Sequence, residues 1–359
     1  MKFASLVFAL CLVSPSLFAQ AGTIDPQYRV ICRETLTKSF TPPAPDPALK
    51  PDCDSAASYY GIGRPVDYEA ARACAFEELA EPQENHLSLF AGPGVLSMVY
   101  ANGQGVTADF ELATRFACLN SWSSPAETEA HLDLFAEAKD SGHLGHFDLC
   151  DNATSRNSEG ACASIEARLS DIDRKQKMDA IRTSLANGAI PGFDALVIAE
   201  RDFEDSYIAN EMNTAGMARP AMYYEELNDL RDQFLADLQR VTSPGLHEGI
   251  PLKKADKTLS KTFRPFRIGA AKAVLPKAPK GFANSTVTFK GVEESQRVWL
   301  PLREAWMAFA SAENSAPHAA DQAGAIVTLQ RVEQLNVLTQ ITEQPNSERI
   351  GLRPIVKNR

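Results

Sequence analysis

The chain contains no HExxH, GxSxG or Walker-type segment, and each absence removes a class of chemistry. The first would put two zinc-binding histidines and a general base on one helix face, the second a serine nucleophile on a strained turn, the third a backbone cradle for phosphate. Gly61-x-Gly63 and Gly103-x-Gly105 are the closest approach to a phosphate loop. They lie between two helical patterns, whereas a phosphate loop lies between a strand and a helix. After the first twenty-one residues no apolar run approaches twenty, so that part predicts no transmembrane helix. No cysteine follows Cys162, and no excess of positive charge exists: 36 Lys and Arg face 46 Asp and Glu, a net charge of -10. That balance argues against general nucleic-acid binding and favours solubility. Carboxylates are plentiful, but spacing alone singles out no pair for glycoside chemistry. The reading is a non-catalytic binding protein without cofactor or metal; nothing in the sequence fixes its oligomeric state.

Residues 1–21 read as a secretory signal. Lys2 supplies the positive start, Phe3 to Leu17 the apolar core, and Ala19-Gln20-Ala21 the small-residue cleavage site. The expected location is the periplasm or the exterior. Cys11 would leave with the signal. Cys32, Cys53, Cys74, Cys118, Cys150 and Cys162 remain, an even set confined to the first half. In an oxidising compartment they predict up to three disulfides, and fifteen pairings are open. Cys32 is placed to pin the preceding arm to the body, and Cys150 with Cys162 would close a polar loop. His143, His146 and Cys150 would sit one turn apart on a helix and are of zinc-ligand type. Gly142 and Gly145 weaken that helix, no fourth ligand is present, and export places Cys150 in a disulfide instead.

The chain divides by composition and period. Residues 22–54 form an arm in which Pro42, Pro43, Pro45, Pro47 and Pro51 argue against a long helix. A repeat comes next, at a spacing of forty-two residues. Gly61-Ile62-Gly63 aligns with Gly103-Gln104-Gly105, Asp67 with Asp109, Tyr68 with Phe110, Glu69 with Glu111 and Ala71 with Ala113. Leu96, Val99 and Tyr100 share a helix face, the glycines turn the chain, and Asp109 caps the next helix. Cys74 stands where the second copy has Phe116. Residues 126–148, with Leu132, Phe135 and Ala136 before Gly142, read as half of a third copy. The module spans 55–165, and 166–199 is a helical connector. Beyond it, apolar stripes mark three helices: Tyr223 to Val241, Val292 to Phe309, and Ile326 to Leu335. Such stripes must bury one another, so the fold class is mainly α, a short helical-repeat module plus a helical bundle. Trp299, Trp306 and Phe309 read as core.

Residues 253–290 hold ten Lys or Arg and one acid, Asp256. Lys261, Arg264 and Arg267 are its candidate binding residues. The segment reads as a docking surface for an acidic partner, anionic glycan or lipid head groups, or else as a solvated basic insertion spanning 243–291 or a loop that neutralises the protein's own acidic N-terminal half. Pro276 and Pro279 argue against one long helix there. Arg303 reads as a cross-link to a carboxylate such as Glu226, or as an exposed binding residue.

The turn Gly103-x-Gly105-Val106, then Asp109, Ala113 and Phe116, resembles the Sel1-like repeat, a relative of the tetratricopeptide solenoid. A second resemblance rests on three blocks in order. Glu211-Met212-Asn213 with Leu227 and Asn228, then Gln296, Trp299 and Arg303, then Thr328, Arg331 and Leu335, are similar to the LprI-like domain, named for a proposed lysozyme inhibitor. It covers about 200–340, within a helical domain bounded at 200–345. The family's usual cysteines are absent: Ala215-Gly216 and Met307-Ala308 stand in those regions. This resemblance implies inhibition of a lysozyme-type cell-wall lytic enzyme. Such enzymes are often basic, and charge would steer one to an acidic chain. The alternative is a non-catalytic envelope adaptor that binds a protein partner through its helical repeats.

Overall fold

The computed structural model describes residues 24–43, 53–80, 88–214, 219–243, 249–275, 280–282, 285–314 and 318–340. The signal segment, Pro45 to Pro51, Ala215-Gly216, Pro244-Gly245, Pro276 and Pro279 lie outside them. The fold is mainly α: the described residues form twelve helices and no strand, with one isolated antiparallel bridge between Gly281 and Thr288.

The arm is more ordered than its prolines predict. α1 (Pro26–Thr37) starts where Asp25 caps Gln27 and Pro26 occupies the first turn, where a missing N–H costs nothing. Cys32 joins it to Cys118, and Arg115 donates to the carbonyls of Thr35 and Lys38. Phe40 closes the arm, stacked on Phe76 and edge-on to Phe116.

Two helix hairpins come next: α2 (Ser55–Tyr60) with α3 (Tyr68–Ala80), and α4 (Pro93–Asn102) with α5 (Phe110–Leu119). They repeat bond for bond at the forty-two-residue spacing. Ile62 N–H donates to Ala57 as Gln104 does to Val99, and Asp67 N–H to Ser58 as Asp109 does to Tyr100. Gly61 and Gly103 end the first helices in the left-handed region, and Asp67 and Asp109 cap the second. Gly105 has a second duty. A Cβ there would lie 3.1 Å from the backbone of Tyr68 and Glu69, so a side chain would push one hairpin off the other. The same register explains Cys74. It is matched by an opposite exchange, Phe76 against Cys118, so each second helix carries one Phe and one Cys, and the two rings meet at 5.8 Å. Cys74 bonds Cys53.

α6 (Pro125–Ser141) packs on α5 and ends at left-handed Gly142. In place of the second helix of a repeat, the chain then makes a 3-10 turn at Leu149–Asn152. Cys150 bonds Cys162. The sulfur of Cys150 is therefore committed, and His143 and His146 are exposed outside any helix, so the considered zinc set is not assembled. No group of three or more metal-binding side chains occurs among the described residues.

α7 (Arg156–Ser184) runs through the boundary at 165–166 and joins two cores. Its Ile165 belongs to the repeat core, with Leu96, Phe116 and Phe135. Its Met178 and Ile181 pack against the second core. That core is built by α8 (Ile190–Glu211), α9 (Arg219–Thr242), α10 (Leu252–Lys272), α11 (Phe289–Glu313) and α12 (Ala319–Gln340). Trp306, Phe309, Phe266, Leu238 and Leu335 lie at its centre, so Trp299, Trp306 and Phe309 are core residues. α7 packs along α9, α8 along α11, and α10 along α12. Gly160 permits the first of these, since a Cβ there would meet Pro220 at 2.5 Å.

The basic segment is corrected by this arrangement. Residues 252–272 are not a solvated insertion but a helix of the bundle, buried through Ala255, Leu259, Phe266 and Ala270. Pro265 lies inside it on the exposed side. Its missing N–H frees only the Lys261 carbonyl at the surface, away from the packed face. The three disulfides fit an oxidising compartment. No helix of the described residues is long and apolar enough to cross a membrane.

Candidate functional site

Three distant parts of the sequence meet in one polar cluster inside the bundle. α8 ends with Glu211, α11 contributes Gln296, and α12 contributes Arg331, all buried. The Arg331 guanidinium donates through both terminal nitrogens to Glu211 and through Nε to Gln296 at 2.9 Å. It also reaches Gln334 at 3.1 Å and lies over the Phe203 ring. Arg331 and Glu211 are wholly inaccessible. A buried charge is tolerable only when paired and hydrogen-bonded, and here the guanidinium is ion-paired and makes four donations. Of the other residues that carried the second resemblance, Leu227 and Trp299 are buried, and Asn228 accepts from Arg174 at 2.6 Å. The Met212 carbonyl and the Asn213 side chain accept from Thr286. Thr328 donates to the Gly324 carbonyl, and Leu335 is core. These residues tie helices together and offer almost no surface to a ligand.

Arg303 has a different partner from the one expected. It donates to Asp256 on α10 at 2.7 Å and lies over the Trp299 ring. Glu226 is taken instead by the Tyr207 hydroxyl at 2.8 Å, and burial holds its carboxyl above the ordinary range. The reason is position: Asp256 sits at the edge of α10 that faces α11. Arg303 is thereby separated from Lys261, Arg264 and Arg267, which lie together on the exposed side of α10.

That exposed side is the main surface feature. Lys253, Lys254, Lys257, Lys261, Arg264, Arg267 and Lys272 all point to solvent, and none has a carboxylate partner among the described residues. Steps of three and four carry Lys253, Lys257, Lys261, Arg264, Ile268 and Lys272 along a single stripe opposite the buried face. At 1.5 Å per residue the stripe is about 30 Å long.

Two further networks escaped the sequence reading. Arg174 of α7 binds Asp171, Asp232 and Asn228, while Arg231 of α9 binds Asp171 and both oxygens of Glu204. Beside them, burial and the charges of Glu204 and Asp237 push Glu200 up to about 8. Glu200 therefore holds its proton more tightly than an ordinary carboxyl.

In the repeat module, Glu127 on α6 and His131 one turn later form an acid-sensitive pair. Burial works against the Glu127 carboxylate, but backbone N–H groups of Ser124, Thr154 and Ser155 and the Ser158 hydroxyl bring it down to about 2. Neither ring nitrogen of buried His131 has a hydrogen-bond partner, and burial lowers it to about 4. Both folded-state values are depressed, so both contributions are present at high pH and lost on acidification. His131 should cost stability as pH falls from about 6.5 to about 4, and Glu127 from about 4.5 to about 2. Thermal melting against pH is expected to fall in these two stages. His131→Leu should remove the upper one and Glu127→Gln the lower. A melting temperature flat between pH 7 and pH 4, with the lower stage intact, would refute the upper assignment.

No family model, curated protein or solved structure matches this chain.

Proposed function

We propose that the chain is a non-catalytic binding protein of the periplasm, and that its partner is a basic, lysozyme-type cell-wall lytic enzyme which it inhibits. The observation that carries this reading is the separation of charge. Residues 253–290 hold ten of the 36 Lys and Arg and one of the 46 Asp and Glu, which leaves 26 against 45 elsewhere. With that segment set apart, the rest of the chain is strongly acidic in composition, and it would steer a basic partner to faces away from α10, which carries seven of the ten cations. The convergence of Glu211, Gln296 and Arg331 adds support, because the three blocks behind the LprI-like resemblance belong to one packed unit.

The adaptor reading has less surface to work with. The flank of α3 and α5 is occupied by the chain's own arm, through Phe40, Arg115 and the Cys32–Cys118 bond.

Titration calorimetry of the chain from Gly22 onward against a basic lysozyme, near physiological salt, tests the proposal. Saturable binding, micromolar or tighter, with inhibition of cell-wall lysis is expected. Heat that disappears with modest added salt, without inhibition, would reduce the interaction to generic attraction of opposite charges and overturn it.

A further inference from the structure

We propose that the exposed face of α10 is a docking surface for an anionic lipid bilayer, and that it lays the protein on the membrane with its acidic body turned away. This goes beyond enzyme binding: the same separation of charge that leaves the acidic faces to a basic partner leaves α10 to a different one.

The first support is the fixed, unsatisfied charge. Seven cations project from one side of a helix whose opposite side is locked into the bundle by Leu259 and Phe266. Arg174, Arg231 and Arg331, by contrast, are held in ion pairs with the chain's own acids. The α10 cations form none with any described residue, so their charge stands at the surface, open to an external anion.

The second support is apolar, and it chooses among anionic partners. Ile268 stands within the cationic stripe at 41 % exposure. Val274 and Leu275, just past the helix end, are 82 % and 57 % exposed. A soluble polyanion or an acidic protein tail gains little from three protruding aliphatic groups beside lysines. A bilayer uses both parts: head-group phosphates take the cations, and the acyl boundary takes the aliphatic tips. Bases of a nucleic acid would need exposed rings for stacking. The aromatic residues of α10, Phe263 and Phe266, are instead partly or fully buried in the core. The third support is the body's opposite charge, which an anionic surface repels, so that only α10 can face it.

The test is co-sedimentation of the chain from Gly22 onward with vesicles of equal parts phosphatidylglycerol and phosphatidylcholine, and with phosphatidylcholine alone. Binding to the anionic vesicles only is expected. Lys257→Gln, Lys261→Gln and Arg264→Gln together should weaken it on the order of a hundredfold, about fivefold per charge removed. Val274→Ser with Leu275→Ser should weaken it on the order of tenfold, and by a similar factor when salt is raised. All five positions are exposed, so the variants should melt with the parent, and that control separates lost binding from lost folding. Equal binding to neutral vesicles, no binding to anionic ones at low salt, or a triple variant that binds like the parent would each overturn the proposal. Capture of soluble polyphosphate with no vesicle binding would also overturn it, as would self-association abolished by the triple variant without vesicle binding. No enzyme is present in this experiment, so its failure leaves the inhibitor reading untouched.

Discussion

Arg331→Ala is expected to destabilise the C-terminal bundle by about 3–5 kcal/mol, because it leaves Glu211 charged and unpaired in a site with no access to water. Glu211→Gln should cost a similar amount from the opposite side, stranding the guanidinium. Removing both charges at once, as Arg331→Met with Glu211→Leu, should recover much of the loss, since the penalty lies in the orphaned charge and not in the absent pair. Urea unfolding can isolate this bundle. Trp299 and Trp306 lie in its core, whereas Trp122 packs in the repeat module. A Trp122→Phe background therefore makes indole fluorescence report the bundle alone. Single variants within about 1 kcal/mol of the parent would show that the cluster is not what holds α8, α11 and α12 together. A double variant as unstable as the singles would assign the cost to packing instead of charge.

The bundle's long helices were legible because their apolar residues are large and regularly spaced. Trp299, Trp306 and Phe309 on α11, and Leu230, Phe234 and Leu238 on α9, read correctly as one-sided stripes. α10 obeys the same rule but hides it. Two of its four fully buried residues are alanines, seven exposed cations crowd between them, and Pro265 resembles a stop signal. α1 was obscured by the prolines beyond its C-terminus, although Asp25 before Pro26 is a helix-start signature. The ion pair between Glu211 and Arg331 joins residues 120 positions apart, and no spacing rule reaches that far. One local sign was available: Arg331 occupies the stripe that also carries Thr328 and Leu335, and a charge on a buried stripe calls for a buried counter-charge. Of the disulfides, Cys150–Cys162 was legible as the closure of a short polar loop and Cys32 as the residue that pins the arm; the partner of Cys32 and the Cys53–Cys74 bond were not, because they depend on how the hairpins stack.

The second large effect concerns those disulfides. Reduction is expected to unfold the repeat module while leaving the bundle folded, because all six cysteines lie in α1 to α7 and the adjoining turns, and none in α8 to α12. Chain-entropy reasoning ranks the three bonds. Separations of 86, 21 and 12 residues correspond to about 4.6, 3.3 and 2.8 kcal/mol. The ranking assumes that each bond closes a loop within one cooperative unit, and Cys32–Cys118 does not meet that condition. α1 buries no residue fully and is otherwise held by surface bonds such as Tyr28 to Asp133. The Cys32→Ser, Cys118→Ser pair should therefore release the arm, with loss of exchange protection in residues 26–37, while the module melts close to the parent. The Cys53→Ser, Cys74→Ser pair should lower module melting more despite its shorter loop, since Cys74 is buried among Ala71, Ala75 and Phe76 on α3. Hydrogen exchange followed by mass spectrometry on the whole chain separates these outcomes by segment. Global destabilisation on losing Cys32–Cys118, in proportion to its loop, would mean that the arm is an integral part of the repeat core. Parallel loss of protection in α11 and α12 under reductant would mean that α7 couples the two cores into a single folding unit.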